Sequence, residues 1–122
     1  MKVLIVDDSN SIVMVVSQML TEAGHEPLRA KDGQEAVEII ESGQQPDLIL
    51  LDWNMPNMSG IEFLKYNFEN CITTSPIVMM TTENKPDKIR EALQFGASEY
   101  IMKPFTQDIL ISKIQTVTDF AA

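Results

Sequence analysis

The sequence predicts an α/β fold in which five parallel strands form a doubly wound sheet with helices on both faces. Short apolar runs without alternation recur along the chain, which is typical of strands buried on both faces of a parallel sheet. Longer segments with the period of amphipathic helices separate these runs. Because crossovers between parallel strands are right-handed, this alternation places helices on both sides of one sheet.

The predicted strands and helices alternate along the whole chain. The strands are expected at residues 3–6, 27–30, 48–51, 77–80 and 100–102, the second being the weakest run. The helices are expected at about residues 11–22, 33–42, 60–68, 86–95 and 107–119. Apolar residues mark one face of the first helix at Ile12 and Val16, and of the last helix at Leu110 and Ile114.

Residues that start and end helices agree with this order. Glycine commonly ends a helix, and the predicted helices one, two and four are followed by Gly24, Gly43 and Gly96. Side chains that accept hydrogen bonds at N-caps precede four helices, namely Ser9, Asp32, Ser59 and Thr106. The polar stretch 67–75 is expected to be a loop. Since the last helix reaches almost to Ala122, we expect one domain over residues 1–122 and no separate output domain in this sequence.

Composition and charge exclude several kinds of protein. The 122 residues, 44% of them hydrophobic, suffice for one buried core. A net charge of -9 repels nucleic-acid backbones and anionic membranes, and it favours a divalent cation. The single cysteine, Cys71, excludes an intrachain disulfide, and the first apolar run is too short for a signal peptide. We therefore expect a cytoplasmic monomer that binds neither nucleic acid nor membrane.

Polar side chains stand at the carboxyl ends of four predicted strands. In chain order they are Asp7 and Asp8, then Asp52, then Thr81 and Thr82, and finally Lys103 before Pro104. In a doubly wound sheet, ligands bind outside the carboxyl ends of the strands, near the point where strand order reverses. We therefore expect these side chains to form one site.

The residue types in this site fit phosphoryl transfer to a carboxylate. Crowded aspartates repel one another, and a site with oxygen ligands alone suits Mg²⁺. A phosphoryl group on Asp52 would add three charged oxygens, which call for the ammonium of Lys103 and the hydroxyl of Thr81. The expected reaction is attack of the Asp52 carboxylate on phosphorus, which gives an acyl phosphate that water later hydrolyses.

Each of these residues also has a simpler interpretation when it is taken alone. Asp8 with Ser9 could cap the first helix, Lys103 before its proline could form a turn, and Thr81 could be an ordinary strand-end residue. A chance occurrence of complementary groups at all four strand ends is much less expected than a chance occurrence at any one strand end. This coincidence favours the functional interpretation.

Four segments resemble the receiver domain of bacterial two-component response regulators, in the right order and over the whole chain. They are LIVDDS, LLDWNMPNMSG, VMMTTE and GASEYIMKPF, and the run DWNMPNM is similar to that of the chemotaxis members of the family. The resemblance implies the flavodoxin-like strand order 2-1-3-4-5 and phosphorylation by a histidine kinase. It also implies signalling through the surface of helix four, strand five and helix five, with the flagellar motor switch as the target.

The resemblance also implies the roles of residues in the site. It implies that Asp52 is the phosphoacceptor. It also implies that the protein is not an enzyme in the ordinary sense, because it directs phosphoryl transfer to itself and then dephosphorylates itself. The Mg²⁺ ligands would be Asp7, Asp8, Asp52 and the main-chain carbonyl of Asn54. Lys103 would contact the phosphoryl group, and its bond to the following proline would be cis.

Further residues are assigned by the same resemblance to switching and to rate. Thr81 and Tyr100 would be the switch pair, which changes arrangement when the phosphoryl group arrives. Asn54 and Glu83 occupy places that tune how fast water reaches the acyl phosphate. Thr82 stands where close relatives usually carry alanine, so its larger side chain is expected to slow access to the site.

Three alternatives stay open from the sequence. In the first, the protein is still a receiver domain, but it acts as a phosphorelay intermediate or is part of a longer regulator. A second is a phosphatase of the haloacid dehalogenase type, which needs a carboxylate two residues after the nucleophile, where this chain has Asn54. A third is a flavodoxin-like cofactor carrier, whose flavin phosphate Asp7 and Asp8 would repel.

Overall fold

The computed structural model describes residues 1–82 and 84–121, and within them five strands alternate with five helices. The strands are β1 (Lys2–Val6), β2 (Glu26–Ala30), β3 (Leu48–Asp52), β4 (Ile77–Thr81) and β5 (Glu99–Met102). The helices are α1 (Asn10–Glu22), α2 (Gly33–Glu41), α3 (Gly60–Asn70), α4 (Pro86–Gln94) and α5 (Gln107–Ala121). All strand pairs are parallel, and the order in the sheet is β2-β1-β3-β4-β5. The predicted fold class is confirmed.

The sheet separates two apolar cores. On one face, Phe63 and Leu64 of α3 and Ile40 of α2 pack with residues such as Leu51 and Met79. The opposite face packs against α1 and α5, through side chains that include Val16, Leu20, Leu110 and Ile114. Every residue of β3 and β4 is buried, which is why their sequences are apolar without alternation. Each large apolar side chain that is buried in this way contributes about 1.5–3 kcal/mol.

The predicted N-caps accept hydrogen bonds from the first turns of their helices. The Ile12 N–H donates to Ser9 Oγ (3.4 Å), and the Glu35 N–H donates to Asp32 Oδ1 (2.8 Å). At α3, Ser59 and Glu62 form a reciprocal capping box. Before α5, the Ile109 N–H donates to Thr106 Oγ1 (3.3 Å). The predicted helix ends are confirmed as well, because Gly24, Gly43 and Gly96 all have the positive φ that glycine adopts without strain.

The prediction of a loop at 67–75 is wrong for its first part, because α3 continues to Asn70. The helix ends at Cys71, whose φ is 50°, and the Cys71 N–H donates to the Asn67 carbonyl (2.7 Å). The side chain of Asn67 then accepts a hydrogen bond from the Thr73 N–H (3.0 Å). The polar residues of this segment therefore belong to a solvent-facing helix end, which composition alone does not distinguish from a loop. All helix and strand boundaries, including the end of α3, agree with the predicted ones to within two residues.

In the described part of the chain, every helix is too short or too polar to cross a membrane.

Candidate functional site

The sheet brings the predicted polar residues to one edge. Asp52 is the last residue of β3 and Thr81 the last of β4, while Asp7 directly follows β1 and Lys103 directly follows β5. The Asp7 N–H donates to the Ala30 carbonyl (3.0 Å), so the parallel ladder continues one residue past β1. The carboxyl ends of neighbouring parallel strands therefore place these side chains at the same edge of the sheet.

Three carboxylates lie together at this edge. Oxygen atoms of Asp7, Asp8 and Asp52 all lie within 4.8 Å of one another. Asp7 and Asp52 are only 1% and 8% exposed, whereas Asp8 is exposed to solvent. The Ser9 N–H donates to Asp7 Oδ1 (2.9 Å) and fixes the direction of that carboxylate. Hard oxygen donors this close together repel one another, and their number and type fit a hard divalent cation such as Mg²⁺.

Lys103 supplies the positive charge that faces the buried carboxylates. Its Nζ lies 2.7 Å from Asp52 Oδ1 and 3.3 Å from Asp7 Oδ2, and its side chain is 17% exposed. The Lys103 N–H donates to the Thr81 carbonyl (2.8 Å), which fixes the start of the loop after β5. The bond between Lys103 and Pro104 is cis, as the resemblance implied.

The charges of this group perturb one another. Burial raises the pKa of the Asp52 carboxyl and the charge of Asp7 raises it further, whereas the hydrogen bond from Lys103 acts in the opposite direction. Burial acts to lower the pKa of Lys103, but its hydrogen bond to Asp52 and the two carboxylate charges outweigh burial and raise it. Lys103 therefore keeps its proton at neutral pH and stays a cation beside the two buried carboxylates.

Thr81 and Tyr100 share one face of the sheet. Tyr100 in β5 is the register partner of Met79 in β4. Thr81 lies two residues after Met79 in β4, so the side chains of Thr81 and Tyr100 point to the same side of the sheet. Thr81 is buried and Tyr100 is half-buried at the edge of the core that contains Met79. The Nζ of Lys113 lies 5.7 Å from the centre of the Tyr100 ring. Neighbouring strands therefore place Thr81 and Tyr100 on the same side of the sheet.

The residues expected to set the rates lie at the rim. Asn54 is exposed in the loop after β3, and Thr82 is exposed after β4. Thr82 and Lys103 line one end of an apolar groove of about 390 Å³ whose other walls come mainly from α1 and Phe105. Glu83 lies outside the described residues.

Helix α3 begins directly against the backbone of Asp52. The Gly60 N–H donates to the Trp53 carbonyl (2.9 Å), which places the first turn of α3 over the end of β3. A Cβ atom on Gly60 would lie 2.2 Å from the Asp52 carbonyl oxygen. Glycine is therefore required here because the two backbones approach too closely for any side chain.

Sequence reasoning missed one contact with a residue of the site and one contact between two segments beside it. Arg29 donates from Nη2 to the Asp7 carbonyl (3.2 Å), and Asn57 donates from Nδ2 to Asp32 Oδ2 (2.9 Å). Asp32 was predicted only as a helix cap. One signal in the sequence was available for Arg29, since it is one of only three basic residues in the acidic first half of the chain.

Comparison with known proteins decides the family. The family model described as the response regulator receiver domain matches residues 3–115. The chain belongs to the response regulator receiver family. It is 37% identical to a CheY homolog of Campylobacter jejuni, over 96% of this chain and 92% of that protein. It is 36% identical to the chemotaxis protein CheY1 of Helicobacter pylori, over 96% of each chain.

Solved structures agree with this assignment. The receiver superposes on the chemotaxis response regulator CheY4 of Vibrio cholerae with a TM-score of 0.85 and 41% identity, covering 95% of this chain and 97% of that one. A response regulator receiver domain from Francisella gives a TM-score of 0.90 at 30% identity, covering 99% and 98%. The protein is thus a CheY-like receiver domain, a phosphoacceptor component of two-component signalling.

Proposed function

We propose that this receiver takes a phosphoryl group from a histidine kinase onto Asp52, passes the signal to a protein target while it is phosphorylated, and then hydrolyses its own acyl phosphate. One observation carries the proposal above the others: the Lys103 ammonium lies 2.7 Å from a buried strand-end carboxylate that belongs to a cluster of three. A salt bridge that served stability alone would not need two further carboxylates at the same point, because they repel the first.

Mg²⁺ is the metal proposed for this site. Asp7, Asp8 and Asp52 would hold it with their carboxylates, and Asn54 with its main-chain carbonyl. When bound, Mg²⁺ supplies positive charge that offsets the repulsion among the carboxylates and the phosphoryl oxygens. The oxygen-only donor set and the cluster within 4.8 Å support this choice.

The side chains of the receiver have separate parts in the proposed transfer. An oxygen of Asp52 attacks phosphorus, so that a P–O bond forms while the P–N bond of the donor phosphohistidine breaks and the imidazole leaves. Lys103, which contacts Asp52 before the reaction, is in reach of the oxygens of the transferred group and would neutralise part of their charge. The hydroxyl of Thr81 would donate a further hydrogen bond. Asn54, Glu83 and Thr82 would control how fast water reaches the product.

Thr81 and Tyr100 are proposed to carry the signal away from the site. Phosphorylation adds roughly two negative charges and several acceptor oxygens, which draw a nearby hydroxyl toward them. Since Thr81 lies on the same face as Tyr100, its movement would open space for the half-buried ring. The inward ring would then alter the surface formed by α4, β5 and α5.

The proposed target of that surface is the flagellar motor switch. The relatives at 36–37% identity are named as chemotaxis proteins, which supports the same role here. The surface carries Lys85, Lys88 and Arg90 on an otherwise acidic molecule, a pattern that suits a protein partner of mixed or negative charge. The protein is proposed to act as a monomer.

The central experiment adds Mg²⁺ and acetyl phosphate and follows two signals. Trp53 is buried directly beside Asp52, so its fluorescence should change when the site is loaded. Intact mass should show an acid-labile phosphoryl adduct, which Asp52→Asn should abolish. Asp47→Asn is the matched control, because Asp47 is an exposed aspartate at the opposite edge of the same sheet. Absence of an adduct on the unmodified protein would refute the proposal.

A phosphorelay receiver is the second candidate, and binding to a target separates it from the first. Beryllofluoride imitates the phosphoryl group without being hydrolysed. A peptide from a motor-switch protein should bind more tightly when beryllofluoride and Mg²⁺ are present, and Tyr100→Ala should reduce that gain. Equal binding with and without beryllofluoride would favour the phosphorelay. Membership of the receiver family leaves no support for the phosphatase or the flavin carrier.

A further inference from the structure

Strand β2 and the turn after it contact both loops that carry the proposed metal ligands. Asp7 and Asp8 stand in the loop after β1, whereas Asp52 and Asn54 stand at and after the end of β3. Arg29, in β2, reaches the first loop, and Asp32, at the start of α2, reaches the second. We call Arg29 and Asp32 the β2 anchor.

The contact of Arg29 is with the backbone of the first loop. Its Nη2 donates to the carbonyl oxygen of Asp7 at 3.2 Å, across the edge of the sheet. This carbonyl belongs to the peptide that joins Asp7 to Asp8, so the guanidinium fixes the plane from which both carboxylates project. The bond supplements the Ser9 N–H, which fixes only the Asp7 side chain.

The contact of Asp32 is with the second loop. Asp32 is 3% exposed, and one of its oxygens caps α2 while the other accepts a hydrogen bond from Asn57 Nδ2 at 2.9 Å. Asn57 has a φ of 66°, a conformation that costs energy for a side chain other than asparagine or glycine. A second bond, from the Gly33 N–H to the Met58 carbonyl (3.1 Å), ties the same two segments together. The loop that contains Asn54 is therefore attached to the N-terminus of α2.

Both contacts border one cavity of about 310 Å³ beside the acidic cluster. Its walls are formed by Asp8, Asn10, Arg29, Lys31, Asp32, Pro56 and Asn57. Lys31 provides an internal comparison, because it lines the same cavity with the same charge as Arg29. Its side chain is 67% exposed and pairs at 4.0 Å with Glu35, which does not line the cavity.

We propose that the β2 anchor positions the metal site: Arg29 and Asp32 hold the loops of Asp7, Asp8 and Asn54 in the arrangement that binds Mg²⁺, without contacting the metal or the phosphoryl group. The proposal rests on the proposed function, since it concerns the same metal. Carboxylates that repel one another move apart when their backbone is free. Lys103 offsets this repulsion for Asp7 and Asp52, and the β2 anchor holds the two loops from which the proposed ligands project. Partners of metal ligands act in this way in many metal sites.

The test is a Mg²⁺ titration without any phosphodonor, followed by Trp53 fluorescence. Arg29→Ala should raise the dissociation constant for Mg²⁺ by about fivefold, the effect of one hydrogen bond of ordinary net strength. Arg29→Lys should recover part of the loss, because an ammonium can still donate to the Asp7 carbonyl. Asn57→Gly keeps the positive φ but removes the donor to a buried carboxylate, so it should weaken binding by about tenfold.

Lys31→Ala is the matched control. It removes the same charge from the same cavity, and removal of a positive charge should leave Mg²⁺ binding unchanged or slightly tighter. Unchanged or tighter binding in Arg29→Ala would overturn the proposal, as would equal weakening in Arg29→Ala and Lys31→Ala. If Arg29→Ala does not fold, the Mg²⁺ dissociation constants of Arg29→Lys and Asn57→Gly are compared with that of Lys31→Ala instead. Weaker binding in Arg29→Lys and Asn57→Gly than in Lys31→Ala would then support the proposal, and equal binding would overturn it. No Mg²⁺ response in the unmodified protein would overturn the proposed function and the anchor together, whereas normal binding in all variants would overturn the anchor alone.

Hydrogen exchange in the absence of metal provides a second readout. The Ser9 N–H donates to Asp7 and the Gly60 N–H to Trp53, so they report on the two ligand loops separately. Arg29→Ala should speed exchange at Ser9 and leave Gly60 unchanged. Faster exchange at both amides would indicate a general loss of stability and would count against a positioning role.

Discussion

Replacement of Asp52 by asparagine should stabilise the metal-free protein, although it removes the proposed phosphoacceptor. Asp52 is 8% exposed, and its carboxylate lies within 4.8 Å of those of Asp7 and Asp8. Burial and the neighbouring charge of Asp7 raise its pKa, which means that the ionised form is less favourable in the folded protein than in the unfolded chain. Asparagine has nearly the same shape and no charge, so the substitution removes this unfavourable contribution.

The size of the effect follows from the distances. At an effective dielectric constant of about 20, Asp7 repels Asp52 by about 3.5 kcal/mol at 4.8 Å, and Lys103 attracts it by about 6 kcal/mol at 2.7 Å. Asp8 is exposed, so water screens most of its repulsion. Burial of the Asp52 charge outweighs the remaining attraction, because the pKa of Asp52 is raised. We expect Asp52→Asn to raise the free energy of unfolding by about 1 kcal/mol, or Tm by about 3–5 °C.

The assay is denaturant and thermal unfolding, with a chelator and with excess Mg²⁺. Wild-type protein should gain about 2.7 kcal/mol when Mg²⁺ is present at a hundred times its dissociation constant. Asp52→Asn should gain much less, because one of the proposed metal ligands has lost its charge. Asp47→Asn, the exposed control, should change stability by no more than about 0.5 kcal/mol under both conditions. The electrostatic reasoning would be refuted if Asp52→Asn were less stable than wild type in chelator. It would also be refuted if Mg²⁺ stabilised wild type and Asp52→Asn equally.

Three further substitutions test other features of the site. Gly60→Ala should destabilise the protein by about 3 kcal/mol in urea unfolding, because the new Cβ would meet the Asp52 carbonyl at 2.2 Å; a loss under about 1 kcal/mol would show that α3 shifts freely. Thr82→Ala should shorten the lifetime of the phosphorylated protein by about threefold, under 1 kcal/mol of barrier, as measured by loss of the adduct with time; an unchanged lifetime would remove Thr82 from the rate-setting group. Asp32→Ala should cost about 2 kcal/mol through the lost cap. The hydrogen bond from Asn57 holds the pKa of Asp32 below its ordinary value of 3.8. The ionised Asp32 carboxylate therefore stabilises the fold fully above pH 3.8, and this stabilisation is lost as the pH falls through the lowered pKa. The difference in unfolding free energy between wild type and Asp32→Ala should therefore narrow only in that acidic range. A difference that already narrows near pH 6 would contradict the lowered pKa of Asp32.

The order of elements could be predicted from the sequence because each signal is local. An apolar run such as residues 48–51, a cap such as Ser59 and a stop such as Gly96 act within a few residues of the chain. The loop expected at residues 67–75 is wrong over 67–70 for the same reason. Asn67 continues the helix and also accepts a hydrogen bond from Thr73, and no local pattern distinguishes that arrangement from a polar loop.

The candidate site was predictable to the extent that it follows from the rule for strand ends. That rule placed Asp7, Asp52, Thr81 and Lys103 at one edge, and the structure brings Lys103 to both buried carboxylates. It could not indicate Arg29, because the contact joins a side chain of the edge strand to a backbone carbonyl 22 residues earlier in the chain. Backbone acceptors have no signature in the sequence.

The sequence by itself determined the α/β class, the alternation of strands and helices, and the chemical types that meet at the carboxyl edge of the sheet. These depend on periodicity and on residue type, which are properties of short segments. Only the tertiary structure decided the distances between charges, the burial that raises the pKa of Asp52, and the attachment of the loops after β1 and β3 to β2 and α2. These depend on which strands become neighbours: β1 lies between β2 and β3, so Arg29 comes within reach of Asp7 only when the sheet is assembled.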